Sequence, residues 1–108
     1  MSETERQRVA VVTGASAGIG KAAAKELAQR GWRVIGVGRN PERSQAALGE
    51  LKEAVPGAQI DMIIANLSEL SQTRRAAAEI NALTNRVDVL LNNAGGITKE
   101  RVVTSEGN

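Results

Sequence analysis

The stretch Thr13-Gly14-Ala15-Ser16-Ala17-Gly18-Ile19-Gly20 separates a short apolar run, Val9 to Val12, from an alanine-rich run that continues to Arg30. The first run is continuously apolar rather than alternating, the pattern of a parallel strand buried on both faces. The second, from Gly18, places Ile19, Ala23 and Leu27, with Ala24 and Ala28 beside them, at intervals of three and four, which is the pattern of a helix. Gly31 supplies its C-terminal stop. A strand, a glycine loop and a helix N-terminus in succession make an anion cradle. With glycines at 14, 18 and 20, side chains are absent where backbone N–H groups approach a phosphate.

The same strand-then-helix rhythm repeats along the chain. Arg33 to Gly38 is the second strand, delivering Arg39 to its C-terminal end. Asn40 followed by Pro41 is a cap and a first helical position, so a second helix runs from Pro41 to about Ala54, with Leu48 and Leu51 facing the sheet. Pro56-Gly57 breaks it, and Gln59 to Ala65 is the third strand. Ser68 is positioned to cap a third helix from Glu69 to about Thr84, with Leu70, Ala77, Ile80 and Leu83 on one stripe. Val87 to Leu91 is the fourth strand. Alternating strands and helices imply right-handed crossovers and a parallel sheet. The expected architecture is α/β, half of a Rossmann fold: a four-stranded parallel sheet in the order 3-2-1-4 with three flanking helices, strand 4 at the edge. Residues 1–8 form a polar tail, 9–95 the nucleotide-binding unit, and 96–108 a segment whose structure the sequence leaves open.

A chain of 108 residues is one modest domain, expected to bury roughly two thirds of the surface its unfolded form exposes. Trp32 is its only aromatic residue, so Val, Ile, Leu and Ala must build the core. The 14 basic and 12 acidic residues are intermixed, without the like-charge runs of a nucleic-acid or membrane patch. With no Cys and no His, thiolate and imidazole metal ligands are both missing. The first eight residues are polar and no apolar stretch reaches membrane-spanning length, so the expected location is the cytoplasm.

Asp88-Val89-Leu90-Leu91-Asn92-Asn93-Ala94-Gly95 is the second motif. Together with the glycine loop it resembles the short-chain dehydrogenase/reductase family, in which T-G-x3-G-x-G opens the first helix and N-N-A-G closes the fourth strand. Strands 1 and 4 flank the topological switch point where such sheets bind ligands. The resemblance implies that Gly14, Ser16, Ile19 and Gly20 surround the pyrophosphate of a dinucleotide, with Gly18 allowing close approach. It places Asn66 and Leu67 at the adenine, although the family usually has Asp where this chain has Asn66; the alternative is that Asn66 terminates the strand and prepares the Ser68 cap. Asn93, Ala94 and Gly95 lie against the adenosine ribose. Asp88 reads as a solvated or capping carboxylate rather than a catalytic one.

Arg39 points to the cofactor. Enzymes that use NAD place a carboxylate at the end of strand 2 for the ribose hydroxyls, and Val37 to Asn40 contains none. An arginine there suits the 2'-phosphate of NADP; the alternative is a solvated charge at a strand end. A charge-assisted bond of about 1.5 to 3 kcal/mol favours NADP(H) over NAD(H) by roughly ten- to a hundredfold. Arg101 to Gly107 is similar to the stretch entering the next helix in family members like the retinol dehydrogenases.

The family transfers hydride between a nicotinamide and an alcohol or ketone, using a Ser, a Tyr and a Lys downstream of N-N-A-G. This chain contains no Tyr, and Lys21, Lys25, Lys52 and Lys99 therefore have no such partner. The expectation is an amino-terminal, NADP-binding half of an oxidoreductase without turnover of its own, with no catalytic or metal-binding residues assigned. The alternative is a non-catalytic nucleotide-binding or interaction module that self-associates or complements another chain. Self-association is expected through strand 4, whose Val87, Val89, Leu90 and Leu91 would otherwise meet water and whose edge invites pairing. A fold-back of Arg101 to Thr104 would protect the same edge.

Overall fold

A computed structural model of the chain describes residues 7–92 and 99–102. In chain order it contains β1 (Val9–Thr13), α1 (Gly18–Gln29), β2 (Arg33–Gly38), α2 (Pro41–Ala54), β3 (Ile60–Ile64), α3 (Leu70–Leu83), β4 (Val89–Asn92) and β5 (Lys99–Val102). The five-stranded sheet has the order β3-β2-β1-β4-β5. Its first four strands are parallel, in the 3-2-1-4 order read from the sequence, with Val11 opposite Ile35 on one side and Leu90 on the other.

The fourth strand is not an edge. β5 pairs with it antiparallel, Leu90 opposite Arg101 and Leu91 opposite Glu100. The sequence reading offered a fold-back of Arg101 to Thr104 at this edge but assigned no strand, because Lys99-Glu100-Arg101-Val102 has no apolar run or alternation. A short charged segment of that kind is what natural sheets place at an exposed edge. The pairing occupies the backbone edge on which self-association was expected to rest.

Two layers of helices cover the sheet. Val12, Val34 and Ile60 project to one face, where they pack with Ala15, Ala24, Ala28 and Leu51 under α1 and α2. Val9, Val11, Ile35, Val37 and Ile63 project to the other, where Ala76 of α3 and the partly buried Ile80 and Leu83 meet them. Such a division follows from β-strand alternation in a sheet buried on both sides. Gly36 of β2 is needed there, because a Cβ would come within 2.9 Å of both Ala15 Cβ and Met62 Sδ.

Local signals set the helix ends. Asn40 Oδ1 accepts from the Arg43 N–H at 2.9 Å, with Pro41 in the first turn of α2. α1 ends in a Schellman motif around Gly31, whose φ is +89°. The Gly31 N–H donates to the Ala28 carbonyl at 3.0 Å, and the Trp32 N–H to that of Leu27 at 3.1 Å. The cap expected at Ser68 does not form. Its N–H and hydroxyl both donate to Asn66 Oδ1, at 3.1 and 2.7 Å, and Glu69 precedes α3 without a side-chain cap. The Asn66 carbonyl oxygen competes for the hydroxyl through a local turn.

The helical stripes are also shifted in two places. Leu70, at the start of α3, is 65% exposed, and Ala77 is exposed while Ala76 is buried. In α1, Ile19 is 66% exposed, and the buried face runs through Gly20, Ala24 and Ala28. In both helices the first apolar residue lies in the opening turn.

Candidate dinucleotide-binding site

The chain reverses direction across the sheet after β3, so β1 and β4 lie side by side with their crossovers leaving in opposite senses. Their C-terminal ends border the crevice where open α/β sheets bind ligands. Thr13, 6% exposed, closes β1, and its Oγ1 donates to Asn92 Oδ1 at 3.0 Å, with the Leu91 carbonyl at 3.4 Å. Sequence reasoning passed over this threonine; its signal was a hydroxyl at the last position of an otherwise apolar strand.

The glycine loop leaves from that point. Gly14 and Gly18 take φ of +66° and +59°, values that residues with a Cβ rarely adopt. The Gly14 and Ala15 N–H groups both donate to the Val37 carbonyl, at 2.8 and 3.3 Å, tying the loop to the end of β2. Ala17 precedes α1 in extended conformation, with no side-chain cap and no acidic residue in the first turn. The first intrahelical bond is from the Lys21 N–H to the Ala17 carbonyl at 3.4 Å. Ahead of it the helix presents N–H groups that no side chain satisfies, at the positive end of the helix dipole. Gly20 is buried against the sheet, Ile19 points outward, and Ser16 is half-buried beside the end of β2.

β2 carries Arg39 to the same end of the sheet. Its side chain is exposed and makes no hydrogen bond or ion pair among the described residues. By contrast, the guanidinium groups of Arg30, Arg33, Arg75 and Arg86 each meet a carboxylate. Arg43, one turn into α2, likewise has no side-chain partner among the described residues.

Asn66 follows β3. Its side-chain oxygen is engaged by Ser68 and its N–H donates to Gln72 Oε1 at 2.6 Å. Both sequence readings of Asn66 thus meet a residue that terminates the strand through a turn, without the cap. Leu67 is half-buried and packs on the α3 side of the sheet, with its carbonyl accepting from Thr73 Oγ1 at 3.0 Å. Asn93, Ala94 and Gly95 lie outside the described residues. Thr13 to Gly20, Arg39, Asn66 and Leu67 therefore gather along one end of the parallel sheet.

Asp88 lies at the opposite end of β4. Its Oδ2 accepts from the Val9 N–H at 2.8 Å and its Oδ1 from Arg86 Nε at 2.8 Å, while its own N–H donates to the Val9 carbonyl at 2.8 Å. Burial pushes its carboxyl up; the Arg86 hydrogen bond, the Val9 N–H and the charges of Arg86 and Arg8 together outweigh that and hold it below the ordinary carboxylate range. This is a capping carboxylate that clasps the start of β1. A groove of about 290 Å³ lies between α1 and α2, running from Gly18 of the glycine loop past Lys21, Lys25, Glu50 and Leu51 and bridged by the Lys21–Glu50 ion pair.

A doubly wound parallel sheet with an uncapped glycine loop at its switch point defines a nucleotide-binding Rossmann unit. The chain belongs to the short chain dehydrogenase family, which it matches over residues 8–107. Human dehydrogenase/reductase SDR family member 13 is 40% identical over 90 residues, 83% of this chain and 24% of that protein. Human retinol dehydrogenase 13 is 35% identical over 100 residues, 93% of this chain and 30% of that protein. Among solved structures, the Pseudomonas aeruginosa RhlG/NADP active-site complex superposes with a TM-score of 0.73 and 36% identity, covering 81% of this chain and 34% of that one. The chain thus spans about a quarter to a third of the length of these relatives. No helix among the described residues is long and apolar enough to cross a membrane.

Proposed function

We propose that this chain binds the adenosine-phosphate portion of NADP(H) across the C-terminal ends of β1, β2 and β4. The observation that carries the reading is the exposed Arg39 without a carboxylate partner, at the end of a β2 that brings no acid to the ribose. Gly14, Gly18 and Gly20 let the pyrophosphate approach the α1 N-terminus, where the N–H groups and helix dipole stabilise it. Ser16 and Ile19 flank that approach. Arg39 takes the 2'-phosphate, Asn66 and Leu67 border the adenine, and Asn93, Ala94 and Gly95 line the ribose side.

When bound, the cofactor supplies hydride chemistry toward an alcohol or ketone, as in the family. The residues present here bind and orient it. Without Tyr, His or Cys, few of this chain's side chains exchange a proton near neutral pH, and the Tyr that the family uses for turnover is not among them.

The test uses the adenosine end alone. Adenosine 2',5'-bisphosphate should raise the melting temperature of the chain more than adenosine 5'-monophosphate at equal concentration, because the two differ only in the 2'-phosphate. Equal shifts from the two nucleotides would contradict the assignment of Arg39. Substrate-dependent NADPH oxidation by the chain, surviving removal of host enzymes, would contradict the absence of turnover.

A further inference from the structure

We infer that Asn66 inverts the hydrogen-bonding polarity at the base end of this site, so that the chain does not read the 6-amino group of adenine and takes a 6-oxopurine at least as readily; the inference rests on the cofactor reading just given. β2 and β3 run side by side with Gly38 opposite Ile64, and the Ala65 N–H donates to the Gly38 carbonyl at 2.9 Å. Arg39 and Asn66 therefore leave neighbouring strands, about 4.8 Å apart, at the same end of the sheet. A ribose whose 2'-phosphate lies at Arg39 carries its base within reach of Asn66.

Half of the Asn66 amide is already committed. Its Oδ1 accepts from the Ser68 N–H at 3.1 Å and from the Ser68 hydroxyl at 2.7 Å, which occupies both lone pairs of the oxygen. A backbone N–H can only donate, so turning the amide over would set its own N–H groups against that of Ser68. The Asn66 backbone is held as well, its N–H donating to Gln72 Oε1 at 2.6 Å and its carbonyl accepting from the Glu69 N–H at 3.1 Å. What remains is the Nδ2 group, which has no partner among the described residues, and beside it the Leu67 N–H, which has none either. Both are donors.

The 6-amino group of adenine is itself a donor and gains no bond from them, whereas O6 and N7 of a 6-oxopurine both accept. A carboxylate at position 66 would behave in the opposite way. One of its oxygens could accept from Ser68 and the other from the 6-amino group. Asparagine keeps the turn that an aspartate would make there and reverses what the turn shows to the base.

The experiment measures calorimetric dissociation constants for NADP and for its hypoxanthine analogue, in which oxygen replaces the 6-amino group, on the unmodified chain and on Asn66→Asp. The unmodified chain should bind the hypoxanthine form at least as tightly as NADP. Asn66→Asp should move the ratio roughly tenfold toward NADP, the discrimination expected of one matched base contact. If the aspartate variant does not fold, Asn66→Ser, which keeps an oxygen for the Ser68 N–H and removes the amide donor, should weaken the hypoxanthine form more than NADP. Tighter binding of NADP by the unmodified chain, a ratio that Asn66→Asp does not move toward NADP, or equal losses in Asn66→Ser would overturn the role of Asn66. The cofactor reading would then stand, because both dinucleotides carry the 2'-phosphate. If the unmodified chain binds neither, both fall.

Discussion

Thr13 and Asn92 join the ends of the two strands that border the binding crevice, the threonine Oγ1 donating to the asparagine Oδ1 across 3.0 Å. The contact links positions 79 residues apart in sequence, at the point where the sheet changes direction. Thr13→Val keeps the β-branched shape and removes the donor. It should cost about 1 kcal/mol, lowering the melting temperature by roughly 4 to 8 °C in a circular dichroism melt. An unchanged melting temperature would show that the clasp contributes nothing net.

Asp88 makes stability depend on acid. Its carboxyl titrates lower in the folded chain than in the unfolded one, so it contributes stability that is fully present above the unfolded value of about 3.9. That contribution is lost as the pH falls through the folded value. Asp88→Asn should therefore reduce stability near neutral pH and flatten the acid limb of the profile, the two chains converging only once the pH has fallen through the folded value. Urea midpoints from about pH 7 down to about pH 2.5 would measure it; parallel curves would contradict the assignment.

The Asn40 cap fixes the start of α2, and with it the stretch of chain that carries Arg39. Asn40→Ala should cost about 1 kcal/mol of stability, while Asn40→Ser should recover most of it. Denaturant melts of the three chains decide the point, and equal loss in both variants would mean that the side-chain bond to the Arg43 N–H is not the stabilising element.

Much of the framework was legible because backbone chemistry fixed it locally. The continuous apolar run Val9 to Val12, the Asn40-Pro41 start and the Gly31 stop each specify one element, and all three stand in the fold. What the sequence hid depends on competition or on distant partners. Ser68 looked like a cap until Asn66 claimed its hydroxyl. β5 carries three charged residues, and its place follows only from the open edge of β4. Trp32, the only aromatic residue, precedes β2 at the end of that strand opposite Arg39, so calorimetry reports on the site more directly than tryptophan fluorescence.

The central claim is that Arg39 makes this an NADP(H) site, and the most direct measurement is the ratio of calorimetric dissociation constants for NADPH and NADH in the unmodified chain and in Arg39→Asp. The unmodified chain should bind NADPH roughly ten- to a hundredfold more tightly, as a charge-assisted bond of about 1.5 to 3 kcal/mol requires. The substitution should reduce that preference by at least about tenfold, or reverse it. Equal affinities for the two cofactors in the unmodified chain, or a preference for NADPH that survives Arg39→Asp undiminished, would contradict it.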